Sequence, residues 1–189
     1  MKNEIALLII DMQNDVVEKL PKSKGIIPNI QEVLEHFRSA GKPVFHIRRS
    51  YRADGTDVEL PRLETFKKSG FKVVEGTPGA LIIEPLKPKN GEYIIVKSRW
   101  SGFFKTNLDL LLNRLGVKTV VLTGVQTPNC LRTTAFDAIS FDLDTIVLKD
   151  CSAAQTEEVH EHNLDDMANI GVKIMLKAEF LSMFDKGQM

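Results

Sequence analysis

Cysteine is scarce in this chain: Cys130 and Cys151 are the only two among 189 residues. Two thiols supply no disulfide framework, so the fold must be held by its core, and a cytoplasmic setting is the expectation. Long apolar runs are missing as well. The first run, Ile5 to Ile10, is stopped by Asp11, far short of the roughly 18 apolar residues of a membrane helix and too short for a secretory leader. It reads as a strand. Excess charge of either sign is also lacking, with Lys plus Arg and Asp plus Glu at 25 each. That balance gives no reason to expect a nucleic-acid or anionic-membrane partner, which leaves a small-molecule substrate. Repeats and low-complexity tracts are absent too.

What is present is the composition of one globular unit: 43% hydrophobic and 26% charged residues. Residues 1–189 are expected to form a single domain with a full core. Strand-length apolar runs alternate with segments of helical period, which predicts an α/β fold with a parallel sheet covered by helices on both faces. Six strands are predicted: Ile5 to Ile10, Val44 to Arg48, Tyr93 to Lys97, Thr119 to Thr123, Thr145 to Leu148 and Lys173 to Leu176. Ile30, Val33, Leu34 and Phe37 space a helix that ends before Gly41-Lys42-Pro43, and Leu108, Leu111, Leu112 and Leu115 space another before Gly116. Further helices are expected over about 130–140, 156–170 and 178–184. The stretch from Ser50 to Pro88, charged and carrying four prolines (Pro61, Pro78, Pro85 and Pro88), reads as a long substrate-side loop with a short strand near Phe71 to Val74.

Ligands of an open parallel sheet bind beyond the carboxyl ends of its strands. Three reactive side chains fall there: Asp11 after the first strand, Lys97 at the end of the third, and Cys130 a few residues past the fourth. Each alone has an ordinary structural alternative as a cap, a solvated cation or a small buried hydrophobe. Together they form a set for acyl transfer. A helix N-terminus begun by Pro128 and a nearby cation are expected to lower the Cys130 pKa, Asp11 to move its proton, and Lys97 to hold the carboxylate. Gln13, Trp100, Phe103 and Arg48 are candidate substrate contacts. Phe104 is expected to pack in the core. Arg48, Arg49 and Arg52 with Tyr51 read first as a solvated cluster, with Arg48 the one chosen to face a substrate carboxylate or ureido oxygen. Cys151 is expected to be structural.

Three motifs carry a resemblance. Leu-Leu-Ile-Ile-Asp-Met-Gln-Asn-Asp at 7–15, Val-Lys-Ser-Arg-Trp-Ser-Gly-Phe at 96–103 and Thr-Gly-Val-Gln-Thr-Pro-Asn-Cys at 123–130 resemble the isochorismatase-like cysteine hydrolases. The likeness runs in order along nearly the whole chain, through Thr134-Ala135-Phe136-Asp137-Ala138 and Leu148-Lys149-Asp150 to His160. It implies a six-stranded parallel sheet, a catalytic triad of Asp11, Lys97 and Cys130, and a cis peptide before Gln126. It further implies an oxyanion hole from the backbone N–H groups of Gln126 and Cys130. The expected reaction is hydrolysis of a small amide, carbamoyl or ureido C–N bond through a thioacyl enzyme. The alternative is vinyl ether cleavage of the isochorismatase type, which needs an acid but no nucleophile. Relatives of this kind are often dimers or tetramers, so a homo-oligomer is expected.

Two departures stand out. Nicotinamidases of this kind bind a metal through an Asp-x-His pair after the second strand, whereas this chain reads His46-Ile47-Arg48-Arg49-Ser50-Tyr51-Arg52. His36, His46, His160 and His162 are scattered, so no metal and no cofactor are expected. The aromatic that usually follows the first motif is Val16, which opens one wall of the pocket.

Overall fold

The computed structural model describes residues 4–70 and 72–187. Six parallel strands form one sheet: β1 Ile5–Ile10, β2 Val44–Arg49, β3 Tyr93–Lys97, β4 Thr119–Val125, β5 Asp144–Ala153 and β6 Lys173–Met175, in the order β3-β2-β1-β4-β5-β6. Seven α-helices are described: α1 Asn14–Lys19, α2 Ser23–Ser39, α3 Leu60–Ser69, α4 Leu108–Leu115, α5 Arg132–Ser140, α6 Glu157–Asn169 and α7 Lys177–Asp185. Among the described residues no helix is long and apolar enough to cross a membrane.

All six residues of β1 are buried, because a central strand of a covered parallel sheet meets helices on both sides. Its alternate side chains feed two cores. Ile5, Leu7 and Ile9 join Ile30, Val33, Leu34 and Phe37 of α2 and Phe180 of α7. Ala6, Leu8 and Ile10 join Leu108 and Leu112 of α4, Ala135 and Ala138 of α5, and Leu164 and Met167 of α6. Phe37 is fully buried and stacks on Phe180 and Phe184 with ring centroids 6.1 and 4.8 Å apart. Truncating such a ring to alanine costs about 3 to 5 kcal/mol.

The expected long loop is in fact a structured excursion. It contains α3, the single turns Pro78–Ala80 and Glu84–Leu86, and a bridge between Tyr51 and Val74 in place of the expected short strand; Phe71 lies outside the described residues. A third core of Tyr51, Val58, Phe66, Val73 and Ala80 holds it down. The helix α3 is charged and buries only Phe66, so its apolar periodicity is weak. Pro61, placed in its first turn where a missing N–H costs nothing, is a start signal that the sequence did carry. α2 begins at Ser23, earlier than its apolar spacing suggests, with Pro28 accommodated inside it.

Candidate active site

The strand order reverses direction between β1 and β4, and the crevice at that switch point is where an open parallel sheet receives ligands. Ile10 pairs with Gly124 across these strands, which sets Asp11 beside Val125. Gly124 has φ 103°, and a Cβ there would lie 2.1 Å from the carbonyl oxygen of Ile10. Only glycine permits both the turn and the close approach. The peptide joining Val125 to Gln126 is cis. Thr127–Leu131 then forms a π-type turn that leads into α5, with Cys130 buried within it. Thr127 Oγ1 donates to His160 Nδ1 at 2.8 Å, and His160 Nε2 donates to the Lys149 carbonyl at 3.2 Å, so a neutral His160 ties this turn to α6 and β5.

Lys97 reaches past the end of β2 to Asp11. Its Nζ donates to Asp11 Oδ2 at 2.9 Å and to the Arg99 carbonyl at 3.2 Å. Asp11, Lys97 and Cys130 are 4%, 2% and 5% exposed, and Asp11 and Cys130 line one cavity of about 350 Å³. Asp11 Oδ1 is buried and has no hydrogen-bond partner. Asp11 itself adopts a left-handed backbone at φ 52°, a conformation that aspartate tolerates better than most residues.

The thiol departs from expectation. Burial, then the Asp11 carboxylate, pushes the Cys130 pKa up, and the opposing pull of Lys97 and Arg49 does not reverse this. The resting group is therefore a thiol whose proton needs an acceptor. Cys151 is a free cysteine in the core below α2, and burial pushes its pKa up as well.

Of the expected substrate contacts, Trp100 lines the cavity, and the other three do not. Gln13 is fully buried and serves the backbone. Its Nε2 donates to the carbonyls of Arg49 and Ala80 at 2.8 and 2.7 Å, and its Oε1 accepts from the Arg49 N–H at 2.8 Å. Phe103 packs in the core facing α4 and stacks on Phe141. Arg48 lies on the opposite side of β2 from the cavity, because strand side chains alternate and Arg49 is the one that lines it. Phe104, expected in the core, is 51% exposed with the Lys105 ammonium over its ring.

Arg49 was hidden in what read as a solvated cluster. It is buried; its Nη1 donates to Tyr51 Oη and, at 2.9 Å, to Glu59 Oε1, and its Nη2 lies 3.5 Å from Cys130 Sγ. Tyr51 donates to Glu59 Oε2 at 2.7 Å. Burial opposes the charge on Glu59, but the Tyr51 hydroxyl and the Arg49 guanidinium outweigh it and hold its pKa low. The signal was the period of two: Phe45, Ile47 and Arg49 share the face on which Cys130 packs. Arg62, Phe66, Lys72 and Val73 from the excursion complete the wall, with Val16 at the position where an aromatic was missed.

The residues do not fit the metal of nicotinamidases. Where the Asp-x-His pair would stand are Arg49 and Tyr51, and a divalent cation there would meet a fixed guanidinium rather than a ligand set. Among the described residues, Glu157, His160 and Glu161 are spaced for a metal, but they line no part of this cavity and both ring nitrogens of His160 are already engaged.

Comparison with known proteins agrees with this architecture. Residues 5–179 match the Isochorismatase domain. A protein of Arabidopsis thaliana named "probable inactive nicotinamidase" is 44% identical over 89% of this chain and 90% of its own length. The maleamate amidohydrolase of Pseudomonas putida is 34% identical over 86% of this chain and 78% of its own. The crystal structure of an isochorismatase family protein from Desulfovibrio vulgaris superposes with a TM-score of 0.90 at 40% identity, covering 96% of this chain and 98% of that one. The chain belongs to the isochorismatase domain family.

Proposed function

We propose that this chain hydrolyses a C–N bond of a small amide, carbamoyl or ureido substrate through a thioester on Cys130. The observation that carries the reading is geometric: the buried Cys130 thiol and the buried Asp11 carboxylate line one cavity, and Asp11 Oδ1 is not taken up by any other donor. Sγ attacks the carbonyl carbon while Asp11 takes the thiol proton, and the oxyanion forms against the N–H groups of Gln126 and Cys130. The C–N bond then breaks as Asp11 returns the proton to the departing amine. Water, deprotonated by Asp11, attacks the thioester, and the leaving sulfur recovers the proton. Lys97 stays charged throughout and holds Asp11 in place through the 2.9 Å contact.

The maleamate amidohydrolase among the relatives supports this reaction class. The name of the 44% relative concerns nicotinamide, and the misfit of Arg49 and Tyr51 to a metal likewise lowers nicotinamide as a substrate here. Vinyl ether cleavage would leave the thiol without a task. A screen of amides, carbamoyl amino acids, ureides and biuret, read as ammonia release, tests the proposal. Cys130→Ala is expected to abolish release with an unchanged far-ultraviolet circular dichroism spectrum, because the lost sulfur opens little cavity. Retained turnover in that variant removes the thioester.

A further inference from the structure

Four cationic side chains line the cavity, Lys19, Arg49, Arg62 and Lys72, against two carboxylates, Asp11 and Asp15. Most of the inner charge is already matched. Lys97 holds Asp11 and Glu59 holds Arg49. The Asp15 carboxylate accepts the Val73 N–H at 2.8 Å and lies against Gly79, where a Cβ would approach within 2.2 Å of it. It is committed to the backbone; among the described residues Lys19 and Lys72 make no ion pair, and Arg62 must share the Glu59 carboxylate with Arg49.

Arg62 is the most specific of these. It stands in the first turn of α3, with its guanidinium 4.6 Å from the ring centroid of Phe66 and 4.8 Å from that of Trp100. Arg49 lies 4.6 Å from the same Trp100 centroid. The two guanidinium groups therefore share one indole, and Arg49 is the one that touches the thiol. Arg62 Nη1 is buried yet makes no hydrogen bond; its carboxylate neighbour, Glu59 Oε1, is 3.7 Å away, beyond bonding reach. The side chain as a whole is 37% exposed, so Arg62 borders the open side of the cavity with one inward N–H free to donate, and a planar fork held between two rings is matched by a carboxylate.

Resting on the amide hydrolase reading, we infer that the substrate carries a carboxylate in addition to its scissile amide, and that Arg62, with Lys72 and Lys19 beside it, receives that carboxylate. Trp100 sets the spacing between it and Cys130. The site then selects half-amides and carbamoyl acids over neutral amides of the same size.

Binding and turnover separate this inference from the reading beneath it. Full-length Cys130→Ala protein is titrated calorimetrically with succinamate and with butyramide, its neutral counterpart. Succinamate is expected to bind on the order of 10- to 100-fold more tightly, the effect of a charge-assisted hydrogen bond. Arg62→Met, which keeps an apolar stem between Phe66 and Trp100, should collapse that ratio toward one, and Arg62→Lys should recover part of it. Equal binding of the two compounds, or a preference that survives Arg62→Met in a folded variant, overturns the carboxylate site. Ammonia release by the unmutated chain is measured in parallel. Equal release from both compounds also overturns the site while sparing the hydrolase. Charge-selective binding with no release from either compound or from any member of the amide, carbamoyl, ureide and biuret screen leaves the site standing and removes the hydrolase.

Discussion

Cys130, the proposed nucleophile, sits in a setting that does not ionise it in advance. Its pKa is raised first by burial and then by Asp11, so the carboxylate proposed to accept its proton also discourages the free thiolate. That produces opposite effects in one variant. Asp11→Asn removes a negative neighbour, so the thiol should titrate at lower pH, read from thiolate ultraviolet absorbance, while kcat falls on the order of 10²-fold or more for want of a proton acceptor. Lys97→Ala should lower kcat comparably and, having removed a positive neighbour, move the thiol the other way. The two losses should not multiply in the double variant, since both residues act as one unit. An unshifted or rising thiol pKa in Asp11→Asn contradicts this placement of the carboxylate. The convergence of Asp11, Lys97 and Cys130 was legible because parallel strand ends meet at one crevice; Arg49 was not, because adjacent arginines look alike until the strand phase is fixed. Gln13 misled for a related reason. A polar residue two positions after Asp11 resembles a substrate contact, and only the backbone around it shows that its amide donates to and accepts from the main chain of Arg49 and Ala80.

At the level of elements, one junction sets the site and a second holds the far end of the sheet. The first is the contact between β1 and β4 at Gly124. Gly124→Ala places a Cβ 2.1 Å from Ile10 O at φ 103°, so it should destabilise the chain by more than about 3 kcal/mol in urea unfolding. A midpoint near that of the unmutated chain contradicts the close packing. The second ties α2, β2 and β3 together: Arg38 and His46 both bond Glu92, at 2.6 and 2.8 Å. Burial works against the charged carboxylate, but Arg38, the Lys89 N–H and His46 outweigh it and hold the Glu92 pKa down to about 2. Burial lowers His46 also. Both folded values lie below their unfolded ones, so both contributions are present above the unfolded pKa values and are lost as pH falls, His46 below about 6.5 and Glu92 from about 4.5 toward about 2. Thermal melting should accordingly weaken on acidification, and Glu92→Gln should lower the melting temperature at neutral pH and flatten its acid limb. A variant with the same acid limb as the unmutated chain contradicts the assignment. The strands were readable as uniform apolar runs, and Ile5–Ile10 and Tyr93–Lys97 fall where expected. α3 escaped because a helix resting on one buried aromatic leaves almost no periodic trace, and the bonds around Glu92 join residues too far apart in sequence to be paired by inspection.

For the whole molecule, the two cores on the faces of the sheet fix β1 and β4 side by side, and the excursion over residues 50–88 closes the crevice between them with its own small core. The strand ends carry Asp11, Lys97 and Arg49, and the excursion adds Arg62, Phe66 and Lys72 to the cavity wall. This division explains why the reaction class could be read from motifs while the substrate could not: motif residues lie on strand ends of fixed geometry, whereas Arg62 depends on a helix hidden in a charged segment. The central claim is a covalent bond between substrate and Cys130. Rapid acid quench during turnover of a good amide substrate, followed by intact-mass measurement and peptide mapping, tests it directly. An acyl or carbamoyl mass on Cys130, with none on the buried Cys151, is the expected result. An adduct mapped to any other residue, or full product formation in the same assay by protein whose Cys130 has first been completely alkylated, contradicts it.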